Sequence, residues 1–397
     1  MSTTTFDTAV TQARDLLRWH SPLRTELWAA RLTADLEPDQ VRPFLGRLTQ
    51  DGSPEARLTL AALAAVNQPA EAAITTPAEP DSQPAIATPT EPGGRPADTT
   101  PAEPGGRPAD TTPAEPGGRP AGGTTADGRL AEAGGTAPVG GGEVDAGVRP
   151  YTVAGSGMAA TLAGWVRRMG RVRCEGAWYG KADPYGEQTL AVLSFRYENG
   201  KEPHILVVGI DQPNGGLAVD ALVEEVKFLD DLGLRAADPG VVGGRILDAF
   251  ELGDQIMGAM VADTLPAVRA LAIARAYAVP GLVRGAADDT AARFDDLPDL
   301  PGAREAFEKL TEFVGDRPLW WSPGRVSQFF TSWLPREAIL TDEAIAAMPA
   351  VVRAWSRFSG DHPAVRRQID EDAPRLPALM ADDSLPSLAK RIAQNRL

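Results

Sequence analysis

An Asn199-Gly200 pair lies between two alternating apolar runs, TLAVLSFRY and HILVVGID, and it restricts the fold of this chain more than any other feature. Both central residues of a tight type I′ turn need positive φ, which Asn and Gly supply, so the dipeptide reads as a hairpin and sets the register around it. Folding there places Phe195 opposite His204, Leu193 opposite Leu206, Ala191 opposite Val208 and Thr189 opposite Ile210. One face is then mostly apolar on both strands, and a slip of one residue would destroy that match. The other face pairs Val192 with Val207 and Ser194 with Ile205. Both faces are expected to be covered, which puts the hairpin at the centre of a sheet.

A second feature removes a long stretch from any folded core. EPGGRPADTTPA begins at Glu91, recurs at Glu103 and returns nearly intact at Glu115. Proline fixes φ, glycine frees it, and almost no bulky apolar side chain is present to offset the ordering entropy. Residues 68–149 therefore read as a disordered Pro/Gly-rich repeat linker. It separates a small all-helical module, 1–67, from a larger domain, 150–397. In the first module Phe6, Val10, Ala13, Leu16 and Leu17 recur at helical spacing, as do Leu23, Leu27, Ala30 and Leu32. Ser53-Pro54-Glu55 is a helix start, with a capping serine and proline at the first position.

The net charge of −15 over 397 residues argues against a nucleic-acid phosphate or an anionic membrane surface as the bulk partner. One cysteine, Cys174, excludes an internal disulfide, and no apolar run reaches the roughly 18 residues that span a bilayer. No secretory leader is read at the start of the chain, and a cytoplasmic location is expected.

In the second domain Ser156 can cap a helix through Met158, Leu162, Trp165, Val166 and Met169, followed by the strand-like RVRCEGAWYG. Arg167, Arg168, Arg171 and Arg173 form a local basic cluster that suits a solvated helix end. Beyond the hairpin, Gly215-Gly216 is expected to open a helix from Leu217 to Leu229, and helices follow at 245–260, 265–277 and 344–358. Ser322-Pro323 starts another, whose Val326, Phe329, Phe330, Trp333 and Leu334 form an apolar face. The fold class is α+β: a small antiparallel sheet covered by C-terminal helices and preceded by the separate helical module.

Chemistry is sparse. Asp183 and Glu187 flank one turn and Asp211 leaves the second hairpin strand, so neighbouring strands would bring three carboxylates near one sheet edge, a set suited to magnesium or calcium. The same residues are also ordinary turn formers. The double glycine lacks the GxGxxG or Gly-Lys-Ser/Thr spacing of a phosphate loop, and neither a nucleophile elbow nor a His-Glu-x-x-His motif occurs. His204 beside an apolar face reads as a packed residue.

The runs YGKADPYGEQTLAVLSFRYENGKEPHILVVGIDQPNGGLAVDAL and LWWSPGRVSQFFTSWLPREAILTDEAIAAMPAVVRAWSRF resemble an uncharacterised family of actinobacterial hypothetical proteins. Its pattern of a D-x-Y-G-[DE]-Q turn, a glycine-pair strand exit and a W-L-P-R helix end is matched by Asp183, Tyr185, Gly186, Glu187, Gln188, Asp211, Gly215, Gly216, Asp220, Trp333, Leu334, Pro335 and Arg336. Gln212 stands where the pattern has histidine, and Val219 where it has lysine. The likeness spans most of residues 170–360 and implies no activity.

These readings point to a non-enzymatic interaction or regulatory protein, two modules on a flexible tether that bind a protein partner or a small ligand without a cofactor. The candidate binding residues are Asp183, Tyr185, Glu187, Asp211, Asn214, Gly215, Gly216, Trp333 and Arg336. The alternative is a metal-assisted hydrolase or phosphate-handling enzyme that uses Asp183, Glu187 and Asp211.

Overall fold

The computed structural model describes residues 3–67 and 163–394. The expected linker, and most of the helix expected after Ser156, lie outside the described residues.

The N-terminal module is four helices, Thr3–Trp19 (α1), Pro22–Asp35 (α2), Pro38–Asp51 (α3) and Pro54–Val66 (α4). Proline at the first turn of three of them lacks only an N–H that would be orphaned there anyway. The Ser21 and Ser53 hydroxyls accept from Arg24 N and Ala56 N, which ends the preceding segment sharply. The α3 helix was not anticipated: its apolar residues are few, and only Phe44 and Leu48 are buried. It stops at Gly52, where φ is +61° and a side chain would be strained.

The larger part is built on a five-stranded antiparallel sheet in the order β4-β3-β2-β1-β5. Its strands are Val172–Lys181 (β1), Gln188–Tyr197 (β2), His204–Asp211 (β3), Leu217–Glu224 (β4) and Arg235–Ala236 (β5). The β2/β3 register is the one that folding about Asn199-Gly200 implies, with Phe195 opposite His204 and Thr189 opposite Ile210. The connection is not the expected type I′ turn: Gly200 takes φ of +75° while Asn199 stays outside the positive-φ region, and residues 198–203 link the strands.

The segment after the double glycine corrects the sequence reading: Leu217–Glu224 is a strand, not the start of a helix. Gly215 and Gly216, at φ of +89° and +92°, turn the chain back along β3, whose open edge then pairs with it. The apolar residues of 217–229 fit both periods, and the sheet selects the period of two. Ala221 and Val223 pack on one face while Leu222 packs on the other.

Helices Pro239–Gln255 (α5) and Thr264–Tyr277 (α6) cover the first face, over Ala191, Leu193, Phe195, Leu206 and Val208. The opposite face, Val192, Ile205 and Val207, is closed by Val226, Leu229, Leu232 and Leu234 from the segment between β4 and β5. β2 and β3 therefore bury most of their side chains on both faces, as a central hairpin requires.

A third layer comprises Ala303–Val314 (α7), Pro323–Gln328 (α8), Leu334–Glu337 (α9), Asp342–Phe358 (α10), Pro363–Asp372 (α11), Leu376–Ala381 (α12) and Leu388–Ala393 (α13). Between α8 and α9 the chain makes a π-helical turn, Phe329–Trp333, that buries both phenylalanines. The aromatic face expected here is core: Phe329, Phe330 and Leu334 are fully buried. No described helix is long and apolar enough to cross a membrane.

The helical module is separate in sequence but docked in space. Leu271 of α6 and Trp165, Val166 and Met169 belong to the same apolar cluster as Phe44, Leu48 and Leu58. At the centre of the junction lies a fully buried carboxylate, Glu26 of α2, which pairs with buried Arg275 of α6. It also accepts from the Gly170 N–H and the Tyr197 hydroxyl. On its other side the Arg275 Nε donates to His204 Nε2 at 3.2 Å, while His204 Nδ1 lies 2.8 Å from the Glu202 carbonyl. His204 is thus a packed residue, stacked on Phe195 with ring centroids 5.9 Å apart.

Candidate functional site

The two turns singled out in the sequence are neighbours. Gln188 pairs with Asp211, and Gln212 N donates to the Glu187 carbonyl at 2.8 Å. The Asp183 and Asp211 carboxylates, however, are committed within their own turns. Asp183 Oδ1 accepts from Tyr185 N at 2.7 Å and Glu187 N at 3.3 Å, and Oδ2 accepts from Gln188 N at 2.6 Å. Asp211 accepts from Asn214 N at 3.3 Å and from Asn214 Nδ2 at 2.8 Å. Among the described residues no group of three His, Cys, Asp or Glu could hold a metal ion, so Asp183, Glu187 and Asp211 do not form one.

Several of the residues of these turns serve to join layers. Gly186 has φ of +66°, and a Cβ there would fall 2.2 Å from the Leu319 carbonyl oxygen. Trp321 N donates to the Tyr185 carbonyl at 2.8 Å, and the Tyr185 ring meets His362 edge-on at 4.5 Å. Gln212 is buried: its side-chain amide donates to Thr189 Oγ1 at 2.7 Å, and its main-chain carbonyl accepts from Arg317 at 2.9 Å. Trp333 packs on Phe313 and Phe329, and Arg336 pairs with exposed Glu337 at 3.1 Å. The structure brings Asp183, Tyr185, Glu187, Asp211, Asn214, Gly215 and Gly216 together as two adjoining turns. The contacts of Trp333 and Arg336 run within the C-terminal helices.

A different set of residues surrounds open space. Where β1 and β5 meet the N-terminal half of α5, the 287–293 segment and the end of α10, they enclose a cleft of about 630 Å³. Tyr179 and Lys181 enter from β1. Alternation on β1 puts both on the same face of the strand. Tyr179 donates to Thr189 Oγ1 at 3.2 Å, and burial raises its pKa. The Arg245 guanidinium, nearly two helical turns inside α5, lies 4.4 Å from the Tyr179 ring centroid and pairs with Asp288 at 3.1 Å. Burial works against the charge of Arg245, but Tyr179 and Asp288 outweigh it and raise the pKa. Its Nε is buried without a hydrogen-bond partner.

Lys181 crosses the cleft to donate to the Ser359 carbonyl at 2.6 Å. Burial lowers its pKa, with Asp183 opposing the shift. Asp238 caps α5 by accepting from Val241 N at 3.0 Å, and Asp288 caps the short turn that follows by accepting from Thr290 N at 2.9 Å. Arg293 donates to Thr290 Oγ1 at 2.7 Å. Apolar lining is supplied by Val241, Leu319 and Phe358.

The close seat of α5 beside this cleft depends on small residues. A Cβ at Gly244 would lie 1.8 Å from the Val283 carbonyl oxygen, and one at Gly240 would lie 2.1 Å from that of Gly281. Nothing in the sequence pattern marks Lys181, Arg235, Arg245 and Arg293 as neighbours, because they come from four segments with no shared motif. The only local signal is the Gly-Gly pair in α5, which reports a near approach of backbone without saying of what.

No family model, no curated protein and no solved structure matches the chain.

Proposed function

We propose that this is a non-enzymatic binding protein whose α+β part takes a small ligand in the cleft beside Tyr179, Lys181 and Arg245. The observation that carries this reading is the cleft itself: about 630 Å³, within the roughly 300–1,000 Å³ that small-molecule sites occupy. Its walls combine apolar surface with a few placed polar groups, which is the usual composition of such a site. The non-enzymatic half of the reading rests on how its charged groups are engaged. Asp238 and Asp288 are tied to backbone N–H groups, and Asp183 and Asp211 of the two sheet-edge turns are tied within their own turns. A general base needs a free acceptor within reach of the proton that it removes.

A regulatory role follows from the position of the cleft. Its walls come from the sheet edge, α5 and the C-terminal layer, so a ligand there bridges elements otherwise joined through contacts such as Lys181 to Ser359. A ligand that binds only the closed arrangement stabilises it by mass action.

The test is a fragment screen by ligand-observed NMR on the full chain, repeated on Val241→Trp, whose indole would fill the cleft. Fragments that bind the parent and are lost from the variant support the reading. Hits retained equally by the variant would move the site elsewhere.

A further inference from the structure

The charges around the cleft do not cancel, and what remains defines a ligand class. Of the carboxylates that line it, Asp288 is paired with Arg245, Asp238 accepts from Val241 N, and exposed Asp289 lies 3.4 Å from Arg293. Lys181 donates only to a carbonyl, at 2.6 Å, and forms no ion pair among the described residues. Arg235, exposed on β5, likewise forms none. Lys181, Arg235, Arg245 and Arg293 thus stand against Asp238, Asp288 and Asp289, an excess of one positive charge around the cavity, with Lys181 and Arg235 the two cations not held in an ion pair, in a chain whose net charge is −15. Val241, Leu319 and Phe358 line the same cavity.

We propose that the cleft selects a small amphipathic organic acid, with its anionic group against Lys181 and Arg235 and its apolar body against Val241, Leu319 and Phe358. The inference rests on the cleft being the ligand site. Lys181 supplies a point charge on a flexible stem and Arg235 a planar fork, a pair that suits carboxylate or phosphate oxygens. The apolar wall adds affinity in proportion to the surface that it takes from water. An inorganic anion would gain only the first of these contributions, and a neutral aromatic only the second.

Three probes separate the contributions: benzoate, benzyl alcohol of nearly the same shape, and inorganic phosphate, each titrated against the full chain by ligand-observed NMR at low ionic strength. Benzoate is expected to bind at least tenfold more tightly than either of the others. Its affinity should fall at least tenfold in Arg235→Gln and in Lys181→Met, and should vanish in Val241→Trp. Arg235 is exposed, so its substitution leaves the fold intact and keeps the test valid should Lys181→Met be unstable. Benzyl alcohol binding as tightly as benzoate, with both lost in Val241→Trp, would overturn the anion requirement while leaving the cleft as the site. Phosphate binding as tightly as benzoate would overturn the apolar half. If none of the three binds while neutral fragments still occupy the cleft, the inference falls and the broader reading stands.

Discussion

The junction between the helical module and the sheet hangs on Glu26, and its removal should be among the most damaging single changes in the protein. The carboxylate and the guanidinium of Arg275 are both at most 1% exposed. Taking one partner from such a pair leaves the other charged and desolvated, which costs about 3–5 kcal/mol. Glu26→Ala also strands the Gly170 N–H and the Tyr197 hydroxyl, each worth about 1 kcal/mol or more when buried without a partner. The expected loss is therefore about 5 kcal/mol for Glu26→Ala and about 3 kcal/mol for Glu26→Gln, which keeps the shape and part of the hydrogen bonding. Arg275→Met strands the carboxylate instead and should cost about 3–5 kcal/mol. The double variant Glu26→Gln/Arg275→Met leaves no buried charge, so its cost should be smaller than the sum of the two by about 2 kcal/mol or more. Urea unfolding of the full chain at pH 7 reads these differences, with tryptophan emission as the signal; Trp165 packs within the same cluster. If both single changes cost under about 1 kcal/mol, or the pair is additive within about 0.5 kcal/mol, the module is not held by this contact.

Two further perturbations test neighbouring features. Burial, and then the charge of Arg275, lower the His204 pKa from 6.5 to about 4, so the fold holds the neutral ring. The unfolded chain takes up the proton first as pH falls. Stability from this group is whole above pH 6.5 and declines to a loss of about 3 kcal/mol as pH drops through the folded value near 4. Acid titration of the urea midpoint should show this slope, and His204→Gln should flatten it; an unchanged slope would refute the assignment. Gly244→Ala should cost about 1–3 kcal/mol, because its methyl group meets the Val283 carbonyl and α5 must shift. A variant as stable as the parent by thermal unfolding would mean that this helix is free to move from the 281–283 backbone.

What could be read in the sequence were the features set by neighbours along the chain. The hairpin register was legible because matching the two alternating apolar runs about Asn199-Gly200 fixes which residues face each other, although the connection itself is six residues long and not the expected type I′ turn. The helix starts at Ser53 and Ser322 followed from a capping hydroxyl before proline. The Asp183 and Asp211 turns were likewise legible as turns, with hydrogen bonds that close within five residues. The failure at Leu217–Glu224 has the complementary reason. Its pattern allowed strand or helix, and the choice was made by the open edge of β3, which local sequence does not contain. The docking of the helical module could not be foreseen, since Glu26 and Arg275 are 249 residues apart and each looks like an ordinary polar position on a helix. The cleft belongs to the same class. Lys181, Arg235, Arg245 and Phe358 carry no shared spacing, and only the packing of α5 and the C-terminal helices against the sheet edge makes their side chains face one cavity.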